Sequence, residues 1–162
     1  MNILVECYAD ELFIRALLGN KDRDARIIHS VGRSRIIKKI HACSENIKAV
    51  IDEDPNSYKD RRLNSYQMLL NNNYIIVYKT KNSILVVLRP DLEGFLLRLA
   101  NTLNINVKKF NLPSTNAELH RITGNTNIKT NTNFKAFLQN VMAANNPVIS
   151  SPDILLPDIL KV

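Results

Sequence analysis

Within its first fifty residues the chain alternates apolar runs too short for a helix with segments of helical period, and this alternation constrains the fold more than any other feature. "NILVE" (2–6) precedes "YADELFIRALLG", where Leu12, Phe13, Ala16 and Leu17 recur at helical spacing and Gly19 closes the run. "ARIIHSVG" supplies a second short strand. "RSRIIKKIHACSE" supplies a helix, with Ile36, Ile37, Ile40 and Cys43 on its apolar side and Arg35, Lys38 and Lys39 off it. "IKAVID" (47–52) is the third strand. Strand-helix-strand-helix-strand with short connections builds right-handed crossover units. The predicted fold class is therefore α/β, a three-layer Rossmann-like parallel sheet with helices on both faces.

Beyond residue 52 the pattern is looser. A charged loop, "EDPNSYKDRRLNS", leads to a short helix read around Tyr66–Leu70 and then to two β-rich runs, "YIIVYKT" and "SILVVLR". Lys81-Asn82 between them reads as a hairpin turn, which sets one run antiparallel at the edge of the sheet. "PDLEGFLLRLANTL" (90–103) predicts a helix, with Pro near its start and Leu92, Phe95, Leu96 and Leu99 on one face. Asn and Thr dominate from Asn111 to Asn133 and compete for the backbone, so this stretch reads as loop with one short helix over Ala117–Ile122. A last helix spans Phe134–Ala143. At 162 residues the chain is one domain's worth, read as an α/β core over 1–110 with 111–162 packed on the same domain.

No apolar run approaches the ~20 residues of a membrane helix, and "MNILVECYADE" lacks the basic region and cleavage site of a signal peptide, so the expectation is a cytoplasmic protein with no membrane partner. Cys7 and Cys43 are then read as small hydrophobes on core elements rather than a bridge. The net charge of +7 favours anionic partners, yet the acidic residues concentrate in the first third of the chain. A pure phosphate-backbone binder would place them elsewhere.

Those acids fall at informative places. In parallel α/β sheets, ligands bind outside the carboxyl ends of the strands. Glu6 ends the first strand, and Asp52 and Asp54 lie at and just beyond the end of the third, which neighbours the first in the common doubly wound orders. Strand alternation points Asp52 and Asp54 to the rim and Glu53 away from it, toward solvent. Asp10, one helical turn past Glu6, points to the same rim. Crowded carboxylates either take up a proton or hold a cation, and hard oxygen ligands with open positions suit Mg²⁺ or Mn²⁺ bridged to a substrate phosphate.

"VECYADELFIRAL" followed by "AVIDEDP" resembles the Toprim fold of topoisomerases, bacterial primases, the ribonuclease that matures 5S ribosomal RNA, and the OLD-family nucleases of phage defence. The family's first motif is a strand ending in Glu-Gly with an acid shortly after, matched by Glu6 and Asp10. Its second is a strand ending in Asp-x-Asp, matched by Asp52 and Asp54. The resemblance covers about residues 2–60. "HSVGRSRIIKKI" is similar to the Gly-basic helix start found between the motifs, and "RPDLEGFLL" looks like the Pro-x-x-Glu helix start of some stand-alone members, which adds Glu93. The family's Gly is Cys7 here.

The resemblance implies a Mg²⁺-dependent (or Mn²⁺-dependent) nuclease cleaving phosphodiester bonds in DNA or RNA. Glu6, Asp10, Asp52 and Asp54 would be catalytic, Glu6, Asp52, Asp54 and Glu93 would hold metal, and Arg33, Arg35 and Lys38 would grip nucleic acid. Arg33, Lys79 or Arg89 would meet the charge developing on phosphorus. The likeness to defence nucleases implies a partner ATPase or a homo-oligomer. Two alternatives stay open. One is a catalytically inactive Toprim-like binding module, which Cys7 suggests. The other is a receiver-like phospho-acceptor domain with Asp52 as acceptor, although such domains carry an acid pair where Glu6-Cys7 stands.

Overall fold

The structure, a computed structural model, describes residues 2–19, 25–55 and 59–144. Six strands form one sheet: β1 (Asn2–Val5), β2 (Arg26–His29), β3 (Ile47–Asp52), β4 (Gln67–Asn71), β5 (Ile75–Thr80) and β6 (Ser83–Leu88). Their order is β2-β1-β3-β6-β5-β4. The β1–β2, β1–β3 and β3–β6 pairs are parallel, whereas β5 runs antiparallel to both β6 and β4. The fold is thus the expected α/β class, with a mostly parallel sheet and an antiparallel margin. The reversed strand is β5, one place in from the edge. Five α-helices accompany the sheet among the described residues: α1 (Tyr8–Leu18), α2 (Arg33–Ala42), α3 (Leu92–Thr102), α4 (Asn116–Thr123) and α5 (Thr132–Ala143).

The contacts group into two compact units, Met1–Cys7 with Asp22–Leu92, and Tyr8–Lys21 with Glu93–Val162. The first unit holds the whole sheet and α2. Helix α2 sets Ile36, Ile37 and Ile40 against Leu4 of β1, Ala49 and Ile51 of β3, Ile76 and Tyr78 of β5, and Leu85 and Val87 of β6. Alternate residues on the opposite face, including Ile3, Val5, Val50, Val77 and Val86, are buried as well. Burial on both faces is what parallel strands require and explains their near-continuous apolar runs.

In the second unit, Phe13 of α1 meets Phe95 of α3 edge-on at 5.6 Å, and Phe137 of α5 lies 5.7 Å from Phe110 and 6.5 Å from Phe134. The short helix expected over Ala117–Ile122 is present as α4. The Asn-rich stretch holds more structure than predicted, because its asparagines serve as caps. Asn125 and Asn131 each accept a backbone N–H, opening a 3₁₀ turn at Thr126–Thr130 and helix α5, as Asn106 does for a 3₁₀ turn at Val107–Phe110 just before the stretch.

The helix predicted around Tyr66–Leu70 is not formed; Gln67–Asn71 is strand β4 instead. Gln, Met and Leu favour helix intrinsically, but both ends of the segment are fixed otherwise. Asp60 caps a 3₁₀ turn over Arg61–Ser65, and the Asn72 side chain accepts the N–H groups of Tyr74 (2.8 Å) and Ile75 (2.9 Å), turning the chain into the β4–β5 hairpin. Local turn chemistry and cross-strand pairing outweigh propensity here. The expectation of Cys7 on a core element also fails. Cys7 is exposed, because β1 stops at Val5 and the chain bends at Glu6-Cys7, whereas Cys43 is half-buried against the α2 core.

Gly32 caps α2 with φ 90°, a conformation that L side chains rarely adopt, and a Cβ there would meet nothing within 4 Å. Gly32→Ala is therefore expected to cost about 1–2 kcal/mol through backbone strain alone, read as a lower urea midpoint with unchanged m-value.

Candidate functional site

The carboxyl ends of the parallel strands lie in the first unit, and there the structure brings Glu6 and Asp52 together. Strands β1 and β3 pair directly, with Leu4 opposite Ala49. Glu6, one residue past β1, therefore reaches the last residue of β3, and the Asp52 backbone N–H donates to Glu6 Oε1 at 3.2 Å across 46 residues of sequence. Both side chains are half-buried. Cys7, where the resembled motif has Gly, is not among the described non-glycine residues with positive φ.

Asp54 is placed differently from Asp52. Its φ of 43° ends the extended conformation, and its N–H donates to the Pro90 carbonyl at 3.1 Å. Strand alternation therefore stops before it reaches Asp54, whose side chain shares a cavity wall with Glu53. Glu53, expected to be solvated, is paired. Arg89 donates to Glu53 Oε1 from Nε at 3.0 Å and from Nη2 at 2.9 Å, and from Nη1 to Asn71 Oδ1 at 2.8 Å and the Asn72 carbonyl at 2.7 Å. Arg33 donates from Nη1 to the Glu53 carbonyl. Two of the three cations expected near phosphate thus hold the end of β3 in place, and Lys79 is exposed on β5.

Two cavities open beside this network and share Arg33 and Asp54. One, of about 260 Å³, has an apolar floor that includes Ile76, Tyr78 and Val87, with Arg33, Lys59 and Arg89 among its polar walls. The other is wider, about 700 Å³, with Arg35, Arg61 and Arg62 set against Asp54 and Asp60. Arg35 and Lys38 are exposed, as predicted for the polar side of α2, and Arg35 lines the wider cavity. Burial raises the Tyr78 phenol above its usual pKa, with the Arg89 charge opposing, so the hydroxyl stays protonated at neutral pH.

Asp60 accepts from Arg62 Nε (2.9 Å) and Nη2 (2.7 Å), and this pairing holds its carboxyl below the usual 3.8. A carboxylate whose pKa is lower folded than unfolded stabilises the fold above the unfolded value, and that contribution disappears as the pH falls below it. Asp60→Asn is accordingly expected to lower thermal stability at pH 7 and to narrow its gap from the wild type between pH 4 and pH 2.

Asp10 and Glu93 belong to the second unit. Asp10 is buried in the first turn of α1. Glu93 is buried in the first turn of α3, where Glu93 Oε1 accepts from Thr123 Oγ1 and lies 3.4 Å from His120 Nδ1. That pairing with α4 gives Glu93 a structural role the sequence did not signal. Among the described residues, no three His, Cys, Asp or Glu side chains converge as a metal-binding group. No described helix is long and apolar enough to cross a membrane.

Comparison of the sequence with protein-family models and with curated proteins finds no match. Among solved structures, a hypothetical protein of Pyrococcus horikoshii is similar at a TM-score of 0.37 and 14% identity, over 99% of this chain and 93% of that one. A likeness this distant carries no inference about fold or activity.

Proposed function

We propose that the β1–β3 rim is the site of a Toprim-like phosphodiesterase acting on DNA or RNA with Mg²⁺ or Mn²⁺. The observation that carries this reading is the contact between Glu6 and Asp52 at the ends of adjacent parallel strands, where α/β sheets bind ligands. Mg²⁺ in phosphoryl-transfer sites is held through one or two carboxylates plus substrate phosphate, so Glu6 and Asp52 suffice in number and chemistry. Bound there, the ion supplies charge neutralisation at the phosphate and a lowered pKa of water.

The chain's own groups do the rest. The Asp52 amide fixes Glu6 Oε1 and so holds the Glu6 carboxylate at the rim. Arg33, tied to the Glu53 carbonyl beside the rim, contributes positive charge without needing to reorganise. A second reading, a non-catalytic module of the same kind, is favoured by the use of Glu6 Oε1 as an internal acceptor, which competes with metal ligation.

The test is Mn²⁺ binding, followed by paramagnetic broadening of amide signals, together with cleavage of single- and double-stranded DNA and RNA. Broadening centred on Glu6 and Asp52, with cleavage lost in both Glu6→Ala and Asp52→Ala, supports the nuclease. Nucleic-acid binding without cleavage supports the second reading. Absence of both Mn²⁺ binding and cleavage defeats the proposal.

A further inference from the structure

Helix α2 has two opposite sides. Ile36, Ile37 and Ile40 are buried against the sheet, while Arg35, Lys38, Lys39 and Ala42 are all exposed and recur at the i, i+3, i+4, i+7 spacing of a single helical stripe. Arg35, Lys38 and Lys39 form no ion pair among the described residues, and α2 contains no acidic residue. Like charges three and four residues apart repel one another, and Arg35 stands in the first turn, at the positive end of the helix dipole. The stripe therefore opposes the helix that carries it, and an anion laid along it removes that strain.

The chemistry of the stripe selects the anion. Helices that lie on membranes insert an apolar face, and that of α2 is already buried on the sheet. Protein interfaces are built around aromatic and apolar anchors and are depleted in lysine. Single-stranded nucleic acid is held by stacking on rings as well as by charge. The ring that α2 carries, His41, lies off the stripe and stacks on Tyr66 at 6.0 Å. A regular polyanion met by charge alone is the partner left. Arg35 and Lys39 are separated by about 6 Å along the helix axis, close to two phosphate steps of ~3.4 Å on one strand of a duplex.

We infer that the outer stripe of α2 binds the sugar-phosphate backbone of duplex nucleic acid, with Arg35, Lys38 and Lys39 on phosphates and no base read. At its Arg35 end the stripe opens onto the wider cavity, where the exposed Arg61 adds positive charge. A few phosphate contacts from surface side chains give weak, sequence-independent binding that falls steeply with salt. The inference takes the class of partner from the phosphodiesterase reading and adds the form of that partner and the surface that holds it. Binding at the stripe needs neither metal nor Glu6 and Asp52.

The experiment is fluorescence anisotropy of short labelled DNA and RNA duplexes of two unrelated sequences, titrated with the whole protein in chelator at several salt concentrations. The corresponding single strands and phosphatidylglycerol vesicles serve as competitors. At least one type of duplex is expected to bind, its two sequences within threefold of each other and threefold or more tighter than the single strands. With three phosphates contacted, log K should fall against log salt with a slope of about −2.7. Arg35→Glu, Lys38→Glu and Lys39→Glu should each weaken binding tenfold or more and flatten that slope by about one, without lowering the thermal midpoint, since each removes a like-charge contact. Lys79→Glu makes the same change in net charge on β5, where alternation with Val77 sets it on the sheet face away from α2, and should alter binding less than threefold. The inference is overturned if no duplex binds, if single strands bind as tightly, if vesicles compete with the same dependence on Arg35, Lys38 and Lys39, or if Lys79→Glu weakens binding as much as the stripe variants do. Duplex binding without Mn²⁺ binding or cleavage supports the stripe and defeats the phosphodiesterase; Mn²⁺-dependent cleavage with binding unchanged in the stripe variants does the reverse.

Discussion

Truncating Phe137 to alanine is expected to destabilise the protein by about 3–5 kcal/mol, the range for removing a buried phenyl ring. Phe137 is fully buried on α5, with the rings of Phe110 and Phe134 beside it in the second unit. The lost term has two parts. One is the apolar area returned to water on unfolding; the other is the cavity left among rings that relax only in part. Phe137→Leu, which keeps most of the volume, is expected to cost less than half as much. Urea unfolding followed by far-ultraviolet circular dichroism measures both variants, and equal midpoints for Phe137→Ala and wild type would refute the packing account.

Replacing Arg89 by methionine is expected to cost about 2 kcal/mol. Arg89 makes four hydrogen bonds that tie the end of β3, through Glu53, to the β4–β5 turn, through Asn71 and Asn72. Exposed ion pairs contribute only about 0–1 kcal/mol, whereas hydrogen bonds to charged groups contribute about 1.5–3. With side chains 26% and 30% exposed, the Arg89–Glu53 pair falls between these limits. Glu53→Gln separates the contributions. A double-mutant cycle with Arg89→Met should show a coupling near 1 kcal/mol that shrinks in high salt, while the links to Asn71 and Asn72 persist in the Glu53→Gln single variant. A coupling of zero would show that Arg89 acts through Asn71 and Asn72 alone.

The candidate site was legible where it depends on strand order. Glu6 and Asp52 each close an apolar run, and their meeting follows once β1 and β3 are neighbours. The residues just past Asp52 were not legible, because alternation is a property of extended chain and Asp54 leaves it at φ 43°. Glu53 was misread for a related reason: its partner Arg89 is 36 residues away, just past the end of β6, and nothing local announces the pairing. Lys48 had no signal either. It sits within an apolar strand and is buried to 1% exposure, set there by the register of β3.

By itself the sequence determined the periodicities. Short apolar runs and helical stripes fix α/β class, the parallel arrangement of β1, β2 and β3, and the apolar side of α2, since burying those residues leaves few alternatives. Tertiary structure decided what local preference leaves balanced or contradicts. It made Gln67–Asn71 a strand against its helix-forming residues, because a capped turn before it and an Asx turn after it left pairing with β5 as the way to satisfy its backbone. It also assembled the Arg33–Glu53–Arg89 network and the cavity above Tyr78, whose parts come from separate stretches between residues 33 and 89 and are joined only when the sheet forms.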